Sequence, residues 1–353
     1  MNKIPSGNRL DPAELDARST PPARHAYELL GPDQVLDAVE SLGLITNARI
    51  FALNSYENRV YQIGLEDGSS VIAKFYRPDR WSDDSILEEH AFSAELAELE
   101  IPVVPPSIVA GKTLHQFEID GQPFRFSLFP RLAGRAPELD DLDNLQVMGR
   151  FLGRLHRVGA RTRFEHRNTL NVQDWAVASR DYLLSQAFLP PSLRSAYDSL
   201  SADLIQAVTA VFASAASVKQ LRLHGDCHPG NVLWRDDQPW FVDFDDAING
   251  PAIQDLWMLL SGERDQRQAQ LLEIVEAYEE FNEFDVRELP MIEALRTLRM
   301  MHYAAWLARR WDDPAFPQSF PWFNTERYWA AHILELREQM AALNEPPLQL
   351  FPY

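Results

Sequence analysis

The stretch His224-Gly225-Asp226-Cys227-His228-Pro229-Gly230-Asn231-Val232-Leu233-Trp234, followed by Arg235-Asp236-Asp237-Gln238 and then Pro239-Trp240-Phe241-Val242-Asp243-Phe244-Asp245-Asp246, decides how the chain is read. Two short apolar runs flank a polar turn, which predicts a hairpin of two short strands. On it stand a carboxylate at Asp226, an amide at Asn231 and a second carboxylate at Asp243. A hairpin can aim all three at one point. Hard oxygen donors suit magnesium, and a separate carboxylate can orient a hydroxyl and take its proton. Turn formers alone would also give a surface hairpin rich in Asp and Asn. That reading leaves Asp243 unexplained, because it closes an apolar strand instead of lying in the turn.

The spacing matches the catalytic signature of protein kinases: His-x-Asp, an Asn at the fifth position beyond, then Asp-Phe-Gly on the next strand. His224, Asp226, Asn231, Asp243 and Phe244 fall on it, while Gly225 replaces the usual Arg and Asp245 the usual Gly. The expected fold is therefore α+β and bilobal, protein-kinase-like, with a small, mostly antiparallel β N-lobe and a larger helical C-lobe. A length of 353 residues suits two lobes sharing a cleft.

Upstream, strands are predicted over 49–53, 59–65 and 70–76, with Glu66-Asp67-Gly68-Ser69 turning between the last two. Asn54-Ser55-Tyr56-Glu57-Asn58 stands where a nucleotide-covering loop would lie, yet it holds no glycine. If it covers phosphates, Ser55 and nearby backbone amides do so. Val71-Ile72-Ala73-Lys74-Phe75 resembles the strand whose lysine reaches nucleotide phosphates. An acidic helix follows over 83–100. Glu88 and Glu89 are its candidates to pair with Lys74, and Glu89 is preferred because it lies near the apolar stripe of Phe92 and Leu96. Pro102, Pro105 and Pro106 end the helix and two more strands are predicted over 113–119 and 123–129.

These signals divide the chain into a loose leader (1–25), a nucleotide-binding N-lobe (26–129), a hinge (130–136) and a helical catalytic C-lobe (137–353). In the last, apolar periods mark helices at 171–187, 192–216, 264–281 and 289–311. His156 reads as a packed, hydrogen-bonded core histidine, and Asp255 as an acceptor for backbone N–H groups of the catalytic turn. Tyr303, Trp306, Trp311, Phe316, Trp322 and Tyr328, among Pro314, Pro317 and Pro321, are either core packing or a cleft wall able to hold a cation.

A formal net charge of −19 opposes nucleic acid and anionic membranes as partners. The single cysteine, Cys227, excludes an intramolecular disulfide and is expected to be a small packed residue. With neither a signal-like N-terminus nor a long apolar span, the expected location is the cytoplasm.

Taken together, Lys74, His224-Gly225-Asp226-x-His228-x-Gly230-Asn231, Asp243-Phe244-Asp245 and Asp255-Leu256-Trp257 resemble the aminoglycoside phosphotransferase and choline kinase-like family. Leu53-Asn54-Ser55-Tyr56-Glu57-Asn58, Lys74-Phe75-Tyr76-Arg77-Pro78 and Glu345-Pro346-Pro347-Leu348 further resemble its branch of bacterial Ser/Thr protein kinases. The resemblance implies ATP as co-substrate, Mg2+ as cofactor, a protein acceptor that includes the kinase itself, a monomer, and a part in the stress response. It also implies that Asp226 accepts the proton, that Asn231 and Asp243 bind magnesium, and that Ser55 lies against ATP. Only eleven residues separate Asp243 from Asp255, too few for the activation loop on which peptide substrates usually rest. Two other functions therefore stay open: phosphorylation of an amino alcohol or aminoglycoside, and a nucleotide-binding scaffold without catalysis.

Overall fold

The computed structural model describes residues 26–350. The expected leader over 1–25 and the last three residues lie outside them. In the first lobe, helix α1 (Pro32–Glu40) opens with Pro at its first position, where a missing N–H costs nothing. It packs Val35 and Val39 against a five-stranded antiparallel sheet: β1 (Thr46–Ala52), β2 (Arg59–Leu65), β3 (Ser70–Phe75), β4 (His115–Ile119) and β5 (Gln122–Pro130), ordered β1-β2-β3-β5-β4.

Alternation sets the two faces of the sheet. Ala73 and Phe75 of β3 join Ile63, Phe126 and Leu128 in the core under α1. Lys74, between them, is in register with Val60 and Ser127 and faces the other way, where it is buried. Helix α2 (Asp83–Glu98) covers that side. Ser82 caps it by accepting the Ser85 N–H at 3.1 Å, and Asp83 and Asp84 complement the helix dipole. Its buried stripe, Ile86, Glu89, Phe92 and Leu96, holds one carboxylate among apolar groups.

After α2 the chain stitches the sheet to the hairpin that follows Asn231. Pro102 accepts the Phe241 N–H at 2.9 Å, and Ser107 donates to Leu128 at 2.7 Å. The second lobe is helical: α3 (Leu142–Gly159), α4 (Ala178–Ser185), α5 (Pro191–Ser214), α6 (Ile253–Trp257), α7 (Arg264–Glu279), α8 (Met291–Arg309), α9 (Ala315–Ser319) and α10 (Glu326–Leu343). Gly149 and Gly153 let α3 lie directly on α7. A Cβ at Gly149 would come within 2.3 Å of the Ile274 carbonyl oxygen.

Two small ladders embedded in these helices carry the site: β6 (Leu221–Leu223) with β9 (Ile248–Gly250), and β7 (Val232–Arg235) with β8 (Gln238–Phe241). The sequence places Asp226, Asn231 and Asp243 on the hairpin strands, whereas all three lie just beyond its open end. The ladder stops at the Val232–Phe241 pair, because Pro229 to Asn231 coil into a 3-10 turn. The predicted helix over 171–187 also differs. It begins as a π-helical turn at Gln173–Val177 before α4. Among the described residues, no helix is long and apolar enough to cross a membrane.

Candidate active site

The turn bearing Asp226 is fixed from behind. Gly225 has φ +85°, and a Cβ there would lie 2.1 Å from the Asp246 carbonyl oxygen, so glycine is required where the protein-kinase signature carries arginine. The Asp255 carboxylate, at the start of α6, accepts the N–H groups of His224 and Gly225 at 2.9 Å each. It also meets His156 Nε2 at 3.0 Å, and the other ring nitrogen of His156 meets the Tyr278 hydroxyl. Both residues thus do what the sequence suggests: one buttresses the turn and the other is a satisfied core histidine. Cys227 is buried, and burial pushes its thiol pKa up.

His224 ties the turn to the strand leading into Asp243. Its Nε2 lies 2.9 Å from the Val242 carbonyl, an acceptor only, so this nitrogen carries the proton. Asp243 adopts the left-handed conformation, φ 59° and ψ 67°. For a non-glycine residue this costs on the order of 1 kcal/mol and persists only where the surroundings impose it. Its carboxylate is half exposed and faces the buried Lys74 ammonium at 2.8 Å. Asn231 donates to the Asp226 carbonyl at 3.0 Å, which leaves its side-chain oxygen as an acceptor. That oxygen and the Asp243 carboxylate are hard donors at the cleft. Among the described residues no group of three or more His, Cys, Asp and Glu stands ready to hold a metal alone. Two such donors fit magnesium, which typically takes one or two protein ligands plus phosphate oxygens and water.

Lys74 is held by Asp243 and, at 3.3 Å, by Asp245. Burial opposes its charge, but these carboxylates outweigh burial and hold the ammonium pKa well up. Neither acidic candidate on α2 makes an ion pair with it. Glu89 pairs with the buried Arg167 at 3.3 Å, and burial pushes the Glu89 carboxyl pKa up. Glu88 instead gathers the N–H groups of Glu165, His166 and Arg167 at 2.6–3.0 Å. The reason is competition: Arg167, fixed by the Phe244 and Asp245 carbonyls, takes Glu89.

Asp226 sits between two cationic or donating groups. Arg299 of α8 binds its Oδ1, and His228 Nε2 lies 3.4 Å from its Oδ2. His228 Nδ1 accepts the Gly230 N–H at 2.9 Å, which leaves the proton on Nε2, facing the carboxylate. Burial would raise the Asp226 pKa. The His228 hydrogen bond and the Arg299 charge outweigh it and hold the carboxyl below the usual carboxylate range.

Ser55 is half-buried in the loop between β1 and β2. Its neighbour Glu57 crosses to the second lobe, pairing with Trp306 Nε1 at 2.5 Å and Arg310 Nε at 2.6 Å. In the reverse direction Asp313, buried between α8 and α9, meets Arg59 at 2.9 Å and Arg77 at 2.7 Å. Sequence reasoning did not find Arg299, Arg80, Arg167, Glu57 or Asp313. The only trace was the aromatic concentration from Tyr303 onward, in which Arg309 and Arg310 also stand. Phe316 of that concentration is core, and so are Phe323 and Trp329 beside it, whereas Tyr303 is exposed and Trp306 reaches the loop.

A sequence profile of the phosphotransferase enzyme family matches residues 50–290. Stress response kinase A of Escherichia coli (strain K12) is 46% identical over 326 residues, covering 92% of this chain and 97% of its own. The serine/threonine protein kinase RdoA of Salmonella typhimurium is 44% identical over the same shares. Among solved structures, amicoumacin kinase hAmiN, in complex with AMP-PNP, Ca2+ and Ami, aligns with a TM-score of 0.70 at 19% identity, covering 93% of this chain and 98% of its own. The microcompartment-associated aminopropanol kinase aligns with a TM-score of 0.64 at 18% identity, covering 89% and 99%.

Proposed function

Because the chain belongs to the phosphotransferase enzyme family, we propose that it transfers the γ-phosphoryl group of ATP to Ser and Thr hydroxyls on proteins, itself included, with magnesium as cofactor. It acts as a cytoplasmic monomer in a bacterial stress response. The observation that carries this reading is the pairing of Lys74 with Asp243 and of Asn231 with Asp226, all but Lys74 at the open end of one hairpin. The choice of a protein acceptor is supported by the names of relatives alike over 92% of the chain.

In this reading the Lys74 ammonium turns from Asp243 and Asp245 to the nucleotide phosphates, against the Ser55 loop. Asp226, ionised at neutral pH, accepts a hydrogen bond from the acceptor hydroxyl, aims its oxygen in line with the γ-phosphorus and takes the proton. Glu89, near Lys74 and paired to Arg167, supports the ammonium through space. When bound, magnesium spreads positive charge over the phosphate oxygens, and Asn231 and Asp243 are the residues that would hold it.

A second reading, a small-molecule acceptor, is favoured by the short path from Asp243 to Asp255, which passes at once into β9 and α6. Radiolabelled ATP with magnesium, offered protein acceptors, amino alcohols and aminoglycosides, separates the two. Asp226→Asn should lower transfer by about 10²–10⁴-fold and leave nucleotide affinity in place. Unchanged transfer in this variant would remove Asp226 as the base, and label confined to small molecules would select the second reading.

A further inference from the structure

We infer that Arg299 reads an acidic group on the acceptor, so that the hydroxyls phosphorylated lie beside Asp, Glu or another anionic side chain. This rests on the protein-acceptor reading above and narrows it.

The carboxylates on this wall of the cleft are already matched. Glu57 is held by Arg77, Arg310 and Trp306, Asp313 by Arg59 and Arg77, and Asp246 by Arg80. A cationic acceptor would have to displace guanidinium groups to gain any of them. Asp226, the carboxylate nearest the reacting hydroxyl, is matched as well, by Arg299.

Arg299 itself is not fully used. Its side chain is 38% exposed, and it binds Asp226 through one nitrogen, Nη1. Nε and Nη2 make no hydrogen bond among the described residues. A guanidinium presents a planar fork suited to two parallel bonds with a carboxylate or phosphate. An incoming anionic group can occupy that fork while the acceptor hydroxyl takes the place of Nη1 on Asp226 Oδ1. Recognition and release of the base are then one event. One turn further along α8, Tyr303 is 42% exposed and stacked on Trp306, with centroids 5.6 Å apart. This places a stacked aromatic pair near the fork, against which the flanking residues of a peptide can lie.

The net charge of −19 acts against acidic partners in general. At physiological ionic strength, however, exposed charges more than about 8 Å apart are largely screened. A carboxylate in contact with Arg299 feels the guanidinium first.

The test uses three Ser peptides that differ only in their flanking residues, acidic, neutral or basic, with amino alcohols and aminoglycosides alongside. The full-length chain is compared with Arg299→Gln, Arg299→Lys and Arg299→Glu. The wild type should favour the acidic over the basic peptide by at least tenfold in kcat/KM. Arg299→Gln should level the series, chiefly through KM, Arg299→Lys should keep part of the preference, and Arg299→Glu should turn it toward the basic peptide. Nucleotide affinity, measured in parallel, should be the same in all four proteins and reports that each is folded. Peptide transfer indifferent to flanking charge overturns this inference alone. So does an Arg299→Gln protein that loses kcat equally on all peptides and keeps the preference, which would place Arg299 on the transferring phosphoryl group. Wild-type transfer to small molecules only overturns the protein-acceptor reading.

Discussion

At the scale of single residues, the site is governed by which partner each charge has. Asp226 is a half-buried carboxylate that stays ionised, because His228 and Arg299 outweigh the cost of desolvation. The sign of the pH effect follows. A carboxylate whose pKa is held down functions above that pKa and fails as pH falls through it, so the acid limb of kcat/KM should lie below the usual value of about 4. The backbone N–H of Gly230 orients His228, and the imidazole lends its Nε2 proton to Asp226. His228→Ala therefore removes a donor to the charged form, and the acid limb should move to higher pH with little change at pH 8. A pH–rate series at subsaturating acceptor measures this. An acid limb in the same place for both proteins would show that His228 does not set the charge on Asp226. Lys74 shows the same dependence on partners. It neutralises Asp243 and Asp245, while Glu89 is matched by Arg167.

At the scale of elements, two carboxylates arranged in series behind the catalytic turn determine its position. Asp255 at the head of α6 holds the turn, and α6 is in turn held by Glu288, whose Oε2 accepts the Ile253 N–H at 2.7 Å. Burial pushes the Glu288 carboxyl pKa up to about 8. Its folded pKa thus lies above the unfolded value of 4.5. The stability that this group contributes is complete below pH 4.5, declines as pH rises toward 8, and is flat beyond, with a slope on the order of 1 kcal/mol per pH unit between. Glu288→Gln keeps the acceptor and removes the titration. Urea unfolding at pH 5 and pH 9 should show wild-type stability falling between the two and the variant's falling less. Equal losses in both would refute the assignment. Elements also divide what could be read from the sequence from what could not. The grouping of Asp226, Asn231 and Asp243 was legible because its spacing is local: the three fall within one short stretch. Asp255 was legible as a nearby helix start. That the three site residues lie off the strand ends depended on where Pro229 breaks the ladder. Glu88 against Glu89 depended on Arg167, which stands 78 positions from Glu89 in the chain and leaves no periodic trace.

At the scale of the whole molecule, the loop between β1 and β2, proposed above to cover the nucleotide, is held by charges and holds no glycine. The sheet and helices of each lobe follow from apolar periods in the sequence, but the contacts between lobes join residues up to 254 apart, and no pattern along the chain announces them. Glu57 reaches from the first lobe to Trp306 and Arg310, and Asp313 reaches back from the second to Arg59 and Arg77. Elsewhere, Pro102 and Val104 join the first lobe to Phe241 of the second through backbone hydrogen bonds that no side-chain substitution removes. The charged side is thus the one that can be loosened. Asp313→Asn keeps the shape but leaves Arg59 and Arg77 without their shared carboxylate. Losing one partner of a buried ion pair costs on the order of 3 kcal/mol. Part of that should appear as release of the loop. Nucleotide affinity should weaken about tenfold, while kcat at saturating ATP stays within about twofold, because no group that meets the reacting atoms has changed. Titration with a fluorescent ATP analogue, alongside steady-state kinetics, measures both quantities. An unchanged dissociation constant would mean that the loop holds its place without the crossing ion pairs, whereas a loss confined to kcat would place Asp313 in the chemistry.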